Sequence, residues 1–75
     1  MKAYRKIGGD SAVSGYEYGA DWIHVQFRDG SVYEYTSTSA GQGNIDTMKR
    51  LADRGNGLNS FIHRNVKKRY SRKIR

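Results

Sequence analysis

The sequence predicts an α+β domain in which a three- to four-stranded antiparallel β-meander is followed by two helices packed on one face. Three observations support this fold class. Residues 11–36 contain runs rich in aromatic and β-branched residues, which are typical of strands. Residues 44–54 and 59–70 instead repeat apolar residues at helical spacing. A chain of 75 residues can bury one modest core, so we expect a single domain over residues 1–75.

Three segments are predicted to form the meander: "SAVSGYEY", "DWIHVQF" and "SVYEYT". Turn signals separate them at residues 19–21 and at residues 29–30. A fourth strand can be added by "AYRKI" near the N-terminus. Gly15 breaks the alternation of the first segment and would send Val13 and Tyr16 to opposite faces. We therefore expect a β-bulge at Gly15.

The turn between the second and third strands decides which face Tyr33 and Tyr35 occupy, because a shift of one residue in register inverts every side chain. A two-residue turn would place the tyrosines beside the polar residues of the preceding strand. A three-residue turn with Gly30 at the left-handed bulge position places them beside its apolar residues. Burial favours the second geometry, since it collects five apolar or aromatic side chains on one face. The residues then expected on the outer face are Trp22, His24, Val32 and Glu34.

The stretch "STSAGQG" is predicted to be a polar connection between the sheet and the first helix. Asn44 can cap that helix, and Arg54 with Gly55 can end it. A second amphipathic helix is expected to start near Asn59 and to fray near Tyr70, which leaves "SRKIR" as a flexible tail. The predicted core consists of Val13, Ile23, Val25, Phe27, Tyr33, Tyr35, Ile45, Met48, Leu51, Phe61, Ile62 and Val66.

The net charge of +7 is concentrated in the second half of the chain. Residues 1–43 carry four Lys or Arg against five Asp or Glu, whereas residues 44–75 carry ten against two. Such a basic half indicates an anionic partner such as nucleic acid, a phosphate-bearing ligand or a lipid surface. The N-terminus lacks the apolar run of a signal peptide or membrane span, and there is no cysteine. We expect a cytoplasmic protein that does not bind membranes.

Three segments in sequence order are "SAVSGYEY", "IHVQFRDGSVYEY" with Tyr33 and Tyr35 as a Tyr-x-Tyr pair, and "LADRGNGLNSFIHRNVKKRY". Together they resemble the KTSC domain, a short module named for the C-terminus of some lysyl-tRNA synthetases and also found as free-standing bacterial and phage proteins. The resemblance covers about residues 10–70 and leaves residues 71–75 as a basic tail. It implies no established activity, and RNA binding is suggested only by the synthetase context. The chain departs from the family at "STSAGQG", which replaces a hydrophobic-Pro step, and at Leu58, where an aromatic residue is common.

The sequence contains no signature of a catalytic, metal or cofactor site. Nucleophilic catalysis needs an activated nucleophile beside a base, and neither a Ser/His/Asp signature nor a cysteine is present. His24 and His63 are the only histidines and lack the neighbouring ligands of a metal site. The glycines of "IGGD" and "GQGN" do not match the spacing of phosphate loops and are interpreted as turns. We therefore expect a protein that is not an enzyme and uses no cofactor or metal.

Two functional hypotheses remain. In the first, the protein is a small nucleic-acid-binding module that holds the phosphates of RNA or single-stranded DNA with its C-terminal helix and tail, and stacks a base on an aromatic side chain. The residues predicted to form this site are Arg64, Lys67, Lys68, Arg69, Arg72, Lys73 and Trp22. In the second, it is a protein-interaction module, such as a phage-encoded factor that binds and modulates a host protein through the outer sheet face or an edge strand.

Overall fold

The computed structural model describes residues 1–7 and 12–75, which form an antiparallel five-stranded sheet with helices packed against one face. The strands are adjacent in chain order, so the predicted α+β meander is confirmed. Among the described residues, no helix combines the length and apolarity needed to cross a bilayer. The elements are β1 (Lys2–Ala3), β2 (Val13–Tyr18), β3 (Trp22–Phe27), β4 (Val32–Thr36), α1 (Ser37–Ala40), α2 (Gln42–Arg54), α3 (Leu58–Phe61), a π-helical turn (Ile62–Val66) and β5 (Arg72–Lys73).

The hairpin between β3 and β4 has the predicted three-residue turn. The N–H of Phe27 donates to the carbonyl of Ser31 at 2.9 Å, and the N–H of Gly30 donates to that of Phe27 at 2.9 Å. Gly30 has a φ of 90°, which suits a residue without a Cβ. Val25 consequently lies opposite Tyr33, and both tyrosines share the core face of the sheet with the apolar residues of β3.

The predicted β-bulge at Gly15 is also present. The pairing of β2 with β3 shifts between Val13, which lies opposite Phe27, and Gly15, which lies opposite Gln26. The extra residue restores a common face, so Val13 and Tyr16 are both buried. Ser11, the first residue of the predicted strand, lies outside the described residues, and the strand begins at Val13.

The predicted polar connection "STSAGQG" is instead helical. Thr36 caps α1 through a capping box, in which its Oγ1 accepts from the N–H of Ser39 and its own N–H donates to the Ser39 hydroxyl. After Gly41, α2 starts at Gln42, so the predicted start at Asn44 is wrong. The Asn44 amide donates to the carbonyl of Ala40 at 2.8 Å within the first turn of α2. Local hydrogen bonds of small polar side chains therefore stabilise a helical turn where composition indicated a loop.

The predicted end of α2 is confirmed, because Gly55 has a φ of 74° and donates to the carbonyls of Leu51 and Ala52. The next helix begins at Leu58, close to the predicted start. Its expected length is wrong: the α-helical hydrogen bonding changes to a π-helical turn at Ile62, and helical structure ends at Val66 rather than near Tyr70. Such π turns are rare and are often found at functional sites.

The predicted flexible tail is wrong, since its residues Arg72 and Lys73 form β5. They pair with Glu34 and Tyr33 of β4. The ladder continues on both sides, with the Ser71 N–H donating to the Glu34 carbonyl at 2.6 Å and the Ile74 N–H donating to the Val32 carbonyl at 2.7 Å. Without β5, the backbone N–H and C=O groups on this side of β4 would lack strand partners. Pairing with this edge therefore favours an ordered strand over a flexible tail.

The additional N-terminal strand also differs from the expected "AYRKI". β1 comprises Lys2 and Ala3, which pair with Tyr16 and Gly15 of β2. The chain then turns inward, so Tyr4 is 4% exposed and its hydroxyl accepts from the N–H of Leu58 at 3.2 Å. Tyr4 thereby joins the N-terminus to the start of α3.

The predicted core is confirmed in its centre and is wrong at its margin. The predicted residues that are fully buried are Val13, Ile23, Val25, Tyr35, Ile45, Met48, Ile62 and Val66. The predicted residues that pack against the core while partly exposed are Phe27, Tyr33, Leu51 and Phe61. The core members missing from the prediction are Tyr4, Tyr16, Ala40, Ala52 and Leu58.

Tyr35 tests the hairpin register. Its side chain is 2% exposed in the centre of the core. We expect Tyr35→Ala to lower the free energy of unfolding by about 3 to 5 kcal/mol and Tyr35→Phe to lower it by less than about 1 kcal/mol, because only the ring fills the core. Urea unfolding measures both. Tyr33→Ala is the matched control and should cost less, since Tyr33 is partly exposed. A loss of less than about 1 kcal/mol for Tyr35→Ala would contradict the register, because the ring would then lie on the solvent-facing side of the sheet.

Replacing two glycines of α2 and its C-terminal cap by alanine should have opposite effects on stability. A Cβ at Gly55 would lie 2.7 Å from the Cβ of Arg5, and its φ of 74° is unfavourable for alanine. Gly55→Ala should therefore destabilise the protein by more than about 1 kcal/mol. A Cβ at Gly43, in the first turn of α2, meets no atom within 4 Å, so Gly43→Ala should stabilise the protein by up to about 1 kcal/mol. Thermal melting measures the change in melting temperature of each variant. A shift of the same sign in both would contradict the backbone conformation at these two glycines.

Candidate nucleic-acid interface

Four of the predicted phosphate-binding residues form an exposed basic segment at the end of the helical region. Arg64 lies on the π-helical turn, Lys67 and Lys68 follow it in a turn, and Arg69 comes next. All four are exposed. Within the part of the chain that the structure describes, none of them forms an ion pair. Their charges are therefore available to an external anion. We call residues 64–69 the basic segment.

The two predicted residues on β5 point to opposite faces of the sheet. The Nε of Arg72 donates to Oε1 of Glu34 at 3.1 Å on the outer face. Lys73 lies on the other side, with its Nζ 5.9 Å from the ring centroid of Tyr33. The structure therefore brings Lys73 to the same side as the core tyrosines, while Glu34 partly neutralises Arg72.

Trp22 lies on the outer face, as expected, and is half-buried. A Cβ at Gly19 would clash with Nε1 of Trp22, so the indole packs closely against that turn. The ring centroids of Trp22 and His24 are 4.5 Å apart. Trp22 and the core tyrosines occupy opposite faces of the sheet, and its role in stacking a base stays a prediction.

A second group of aromatic side chains lies beside the basic segment. The ring centroid of Tyr70 is 4.8 Å from that of Tyr33 and 6.4 Å from that of Tyr35, and the Phe27 and Tyr33 centroids are 5.7 Å apart. Tyr70 is 40% exposed. No periodic pattern in the sequence marks Tyr70, because its contacts depend on the chain turning back along β4.

These rings line a groove between the β3–β4 turn and the helical segment, which we call the aromatic groove. It consists of two depressions that share Phe27, Tyr33 and His63. The first, of about 130 Å³, extends to Lys67 and Tyr70. The second, of about 440 Å³, extends to the turn residues 28–31. The groove therefore combines aromatic walls with a lysine of the basic segment.

The carboxylate of Glu34 connects β5 to the outer face of the sheet. Its Oε2 lies 2.9 Å from Nε2 of His24, and its Oε1 accepts from the Ser71 hydroxyl at 2.7 Å. The other ring nitrogen of His24 lies 3.2 Å from Oε2 of Glu17. Hydrogen bonds from His24, Ser71 and Arg72 lower the pKa of Glu34 to about 2, although its partial burial opposes the shift. Glu34 is therefore ionised at neutral pH. The sequence placed it on the outer face but gave no sign of these partners.

At the other end of the sheet, Asp53 of α2 accepts hydrogen bonds from two tyrosines. The Tyr16 hydroxyl donates to Oδ1 at 2.8 Å and the Tyr18 hydroxyl donates to Oδ2 at 2.6 Å. Burial, together with the bond to Asp53, raises the pKa of Tyr16 to about 12, while the two donors lower the pKa of Asp53. Both carboxylate oxygens have partners, so this cluster fastens α2 to β2.

The remaining sequence motifs give no site. In "IGGD", residues 8–10 lie outside the described residues. In "GQGN", which was interpreted as a turn, Gly41 caps the start of α2 and the other residues form its first turn. No cluster of three or more His, Cys, Asp or Glu suited to a metal ion occurs in residues 1–7 and 12–75.

Comparison of the chain with protein-family models, with curated proteins and with solved structures gave no match. The resemblance to the KTSC domain stays a prediction based on the quoted segments.

Glu34 predicts a defined pH dependence of stability. Because folding lowers its pKa from 4.5 to about 2, its ionised form contributes stability above about pH 4.5, which is lost as the pH falls through 2. Glu34→Gln should therefore be less stable than the wild type at neutral pH, and the difference should shrink between pH 4.5 and 2. Urea unfolding over this range measures it. A difference that is independent of pH would contradict the role of the Glu34 charge.

Proposed function

We propose that this protein is a small non-enzymatic module that binds RNA or single-stranded DNA by its phosphate backbone, through the basic segment and β5. The observation that carries the proposal is the exposure of Arg64, Lys67, Lys68 and Arg69 without an ion pair among the described residues. No acidic residue follows Asp53 in the sequence. Exposed cations that are close together in sequence attract phosphates and release their counterions on binding.

The pairing of β5 with β4 supports the proposal further. A flexible tail would lose conformational freedom on binding, which reduces affinity. Hydrogen bonds to Glu34 and Val32 already order this segment and hold Lys73 beside Tyr33. The cations of β5 are therefore positioned before a ligand arrives, and less entropy is lost when phosphates bind.

The alternative of a protein-interaction module has less support. Both edge strands, β1 and β5, are only two residues long and carry Lys or Arg, which are features that discourage pairing with a further strand. The outer sheet face carries the polar network of Glu17, His24 and Glu34 beside the half-buried Trp22. A host protein as partner stays an outcome of the experiment below.

The proposal predicts that replacing Arg64, Lys67 and Lys68 with Gln weakens binding and its salt dependence. All three are exposed, so the melting temperature should stay nearly unchanged. Each lost phosphate contact removes about 0.7 units from the slope of log affinity against log salt on single strands, so the triple variant should lose up to about 2 units. Titration of labelled single-stranded RNA and DNA at several salt concentrations measures this slope. The loss should be similar across sequences, because phosphate contacts do not read bases.

The matched control replaces Lys6, Arg50 and Arg54, which are also exposed, and produces the same change in net charge. This control should keep the wild-type slope apart from a small general effect of charge. Equal slopes for the wild type and the Arg64/Lys67/Lys68 variant would reject the basic segment as the binding site. Absence of binding to any nucleic acid at low salt would reject the function, and a protein captured from nuclease-treated lysate would then favour the alternative.

A further inference from the structure

The rings of the aromatic groove meet edge to face. Neighbouring planes are inclined by 80° between Phe27 and Tyr33 and by 65° between Tyr33 and Tyr70. In neither pair does one ring stack flat on the other. Tyr70, at the outer end, is 40% exposed although it contacts both Tyr33 and Tyr35. The groove thus presents an ordered aromatic surface to solvent.

The charges around the groove favour an anionic ligand at the Tyr70 end. Lys67 lines the depression that contains Tyr70, and Lys73 lies with its Nζ 5.9 Å from the Tyr33 centroid. Asp29 lines the other depression, where its Oδ1 accepts from the N–H and the hydroxyl of Ser31 at 2.9 and 2.6 Å. Asp29 is therefore confined to the turn end, where hydrogen bonds from Ser31 and, less strongly, the charge of Lys73 lower its pKa. Lys67 lies beside the exposed Tyr70.

We propose that the aromatic groove binds an unpaired nucleobase stacked on Tyr70, so that the ligand of this module is single-stranded nucleic acid rather than a duplex. The inference rests on the proposed function, in which Lys67 at the Tyr70 end of the groove and Lys73 over Tyr33 bind phosphates of the same strand. Stacking on an aromatic side chain beside a basic track is how proteins bind single strands without strong sequence preference. A paired base is stacked on both of its faces and must leave the helix before it can enter such a groove. The larger depression has a volume of about 440 Å³, which is within the usual range of ligand pockets. It extends the groove toward the β3–β4 turn, where the neighbouring nucleotide of the bound strand would lie.

The test compares three ligands of equal length and similar charge per strand: oligouridine of about ten nucleotides, the same backbone without bases, and a duplex. Wild-type protein should bind the oligouridine at least about fivefold more tightly than the abasic strand, because the stacking of one base contributes this much or more. Tyr70→Ser should lose this preference and keep the salt slope. Tyr70→Phe should retain the preference because it keeps the ring.

Tyr18→Ser is the matched control, since Tyr18 is 38% exposed and belongs to the Asp53 cluster rather than to the groove. It should bind all three ligands as the wild type does. Equal affinity of the wild type for the oligouridine and the abasic strand, or equally tight binding of the duplex, would overturn the inference and leave phosphate binding intact. Both of these comparisons use only the wild-type protein, so they remain valid if a variant fails to fold. If none of the three ligands shows salt-dependent binding, both the proposed function and this inference are rejected.

Discussion

The register of the β3–β4 hairpin determines where the C-terminal residues lie. The three-residue turn ending at Gly30 places Tyr33 and Tyr35 on the core face and Glu34 on the outer face. All three then receive the returning chain: the tyrosines contact Tyr70, and Glu34 accepts from Ser71 and Arg72. A register shifted by one residue would exchange these faces and remove both sets of contacts.

Three interactions of different physical character hold the C-terminus on the sheet. The backbone ladder of β5 satisfies the edge of β4, and the packing of Tyr70 buries aromatic surface. The ion pair of Arg72 with Glu34 is partly solvated, since the Arg72 side chain is 68% exposed, so its own contribution is small. The backbone register of β5 already places Arg72 opposite Glu34 and Lys73 opposite Tyr33, and strand alternation sends their side chains to opposite faces.

This arrangement places Lys67 and Lys73 beside the tyrosine rings of the aromatic groove. In the proposed mode of binding, the lysine ammonium groups would attract phosphates without sequence preference, and a tyrosine ring would stack on an unpaired base. The two kinds of contact respond differently to salt, because only the first releases counterions. The short basic edges of the sheet are consistent with a domain that does not recruit a further strand.

Sequence patterns were sufficient for features that depend on neighbours along the chain. The strand alternation in "DWIHVQF" and "SVYEYT", the bulge at Gly15 and the end of α2 at Gly55 each follow from local stereochemistry and burial. The order of the elements and the centre of the core follow from the same patterns. The exposure of Arg64, Lys67 and Lys68 was also predictable, since charged side chains opposite an apolar stripe remain in water.

Tertiary structure alone decided the features that join residues distant in sequence. "SRKIR" has the composition of a flexible tail, and it becomes β5 only because β4 offers an unpaired edge and Glu34 offers a carboxylate. Tyr4 enters the core because the N-terminal chain passes over α3, and Tyr70 faces Tyr33 because the chain reverses after the π-helical turn. These contacts depend on where other elements lie, and no periodicity within a single segment encodes that position.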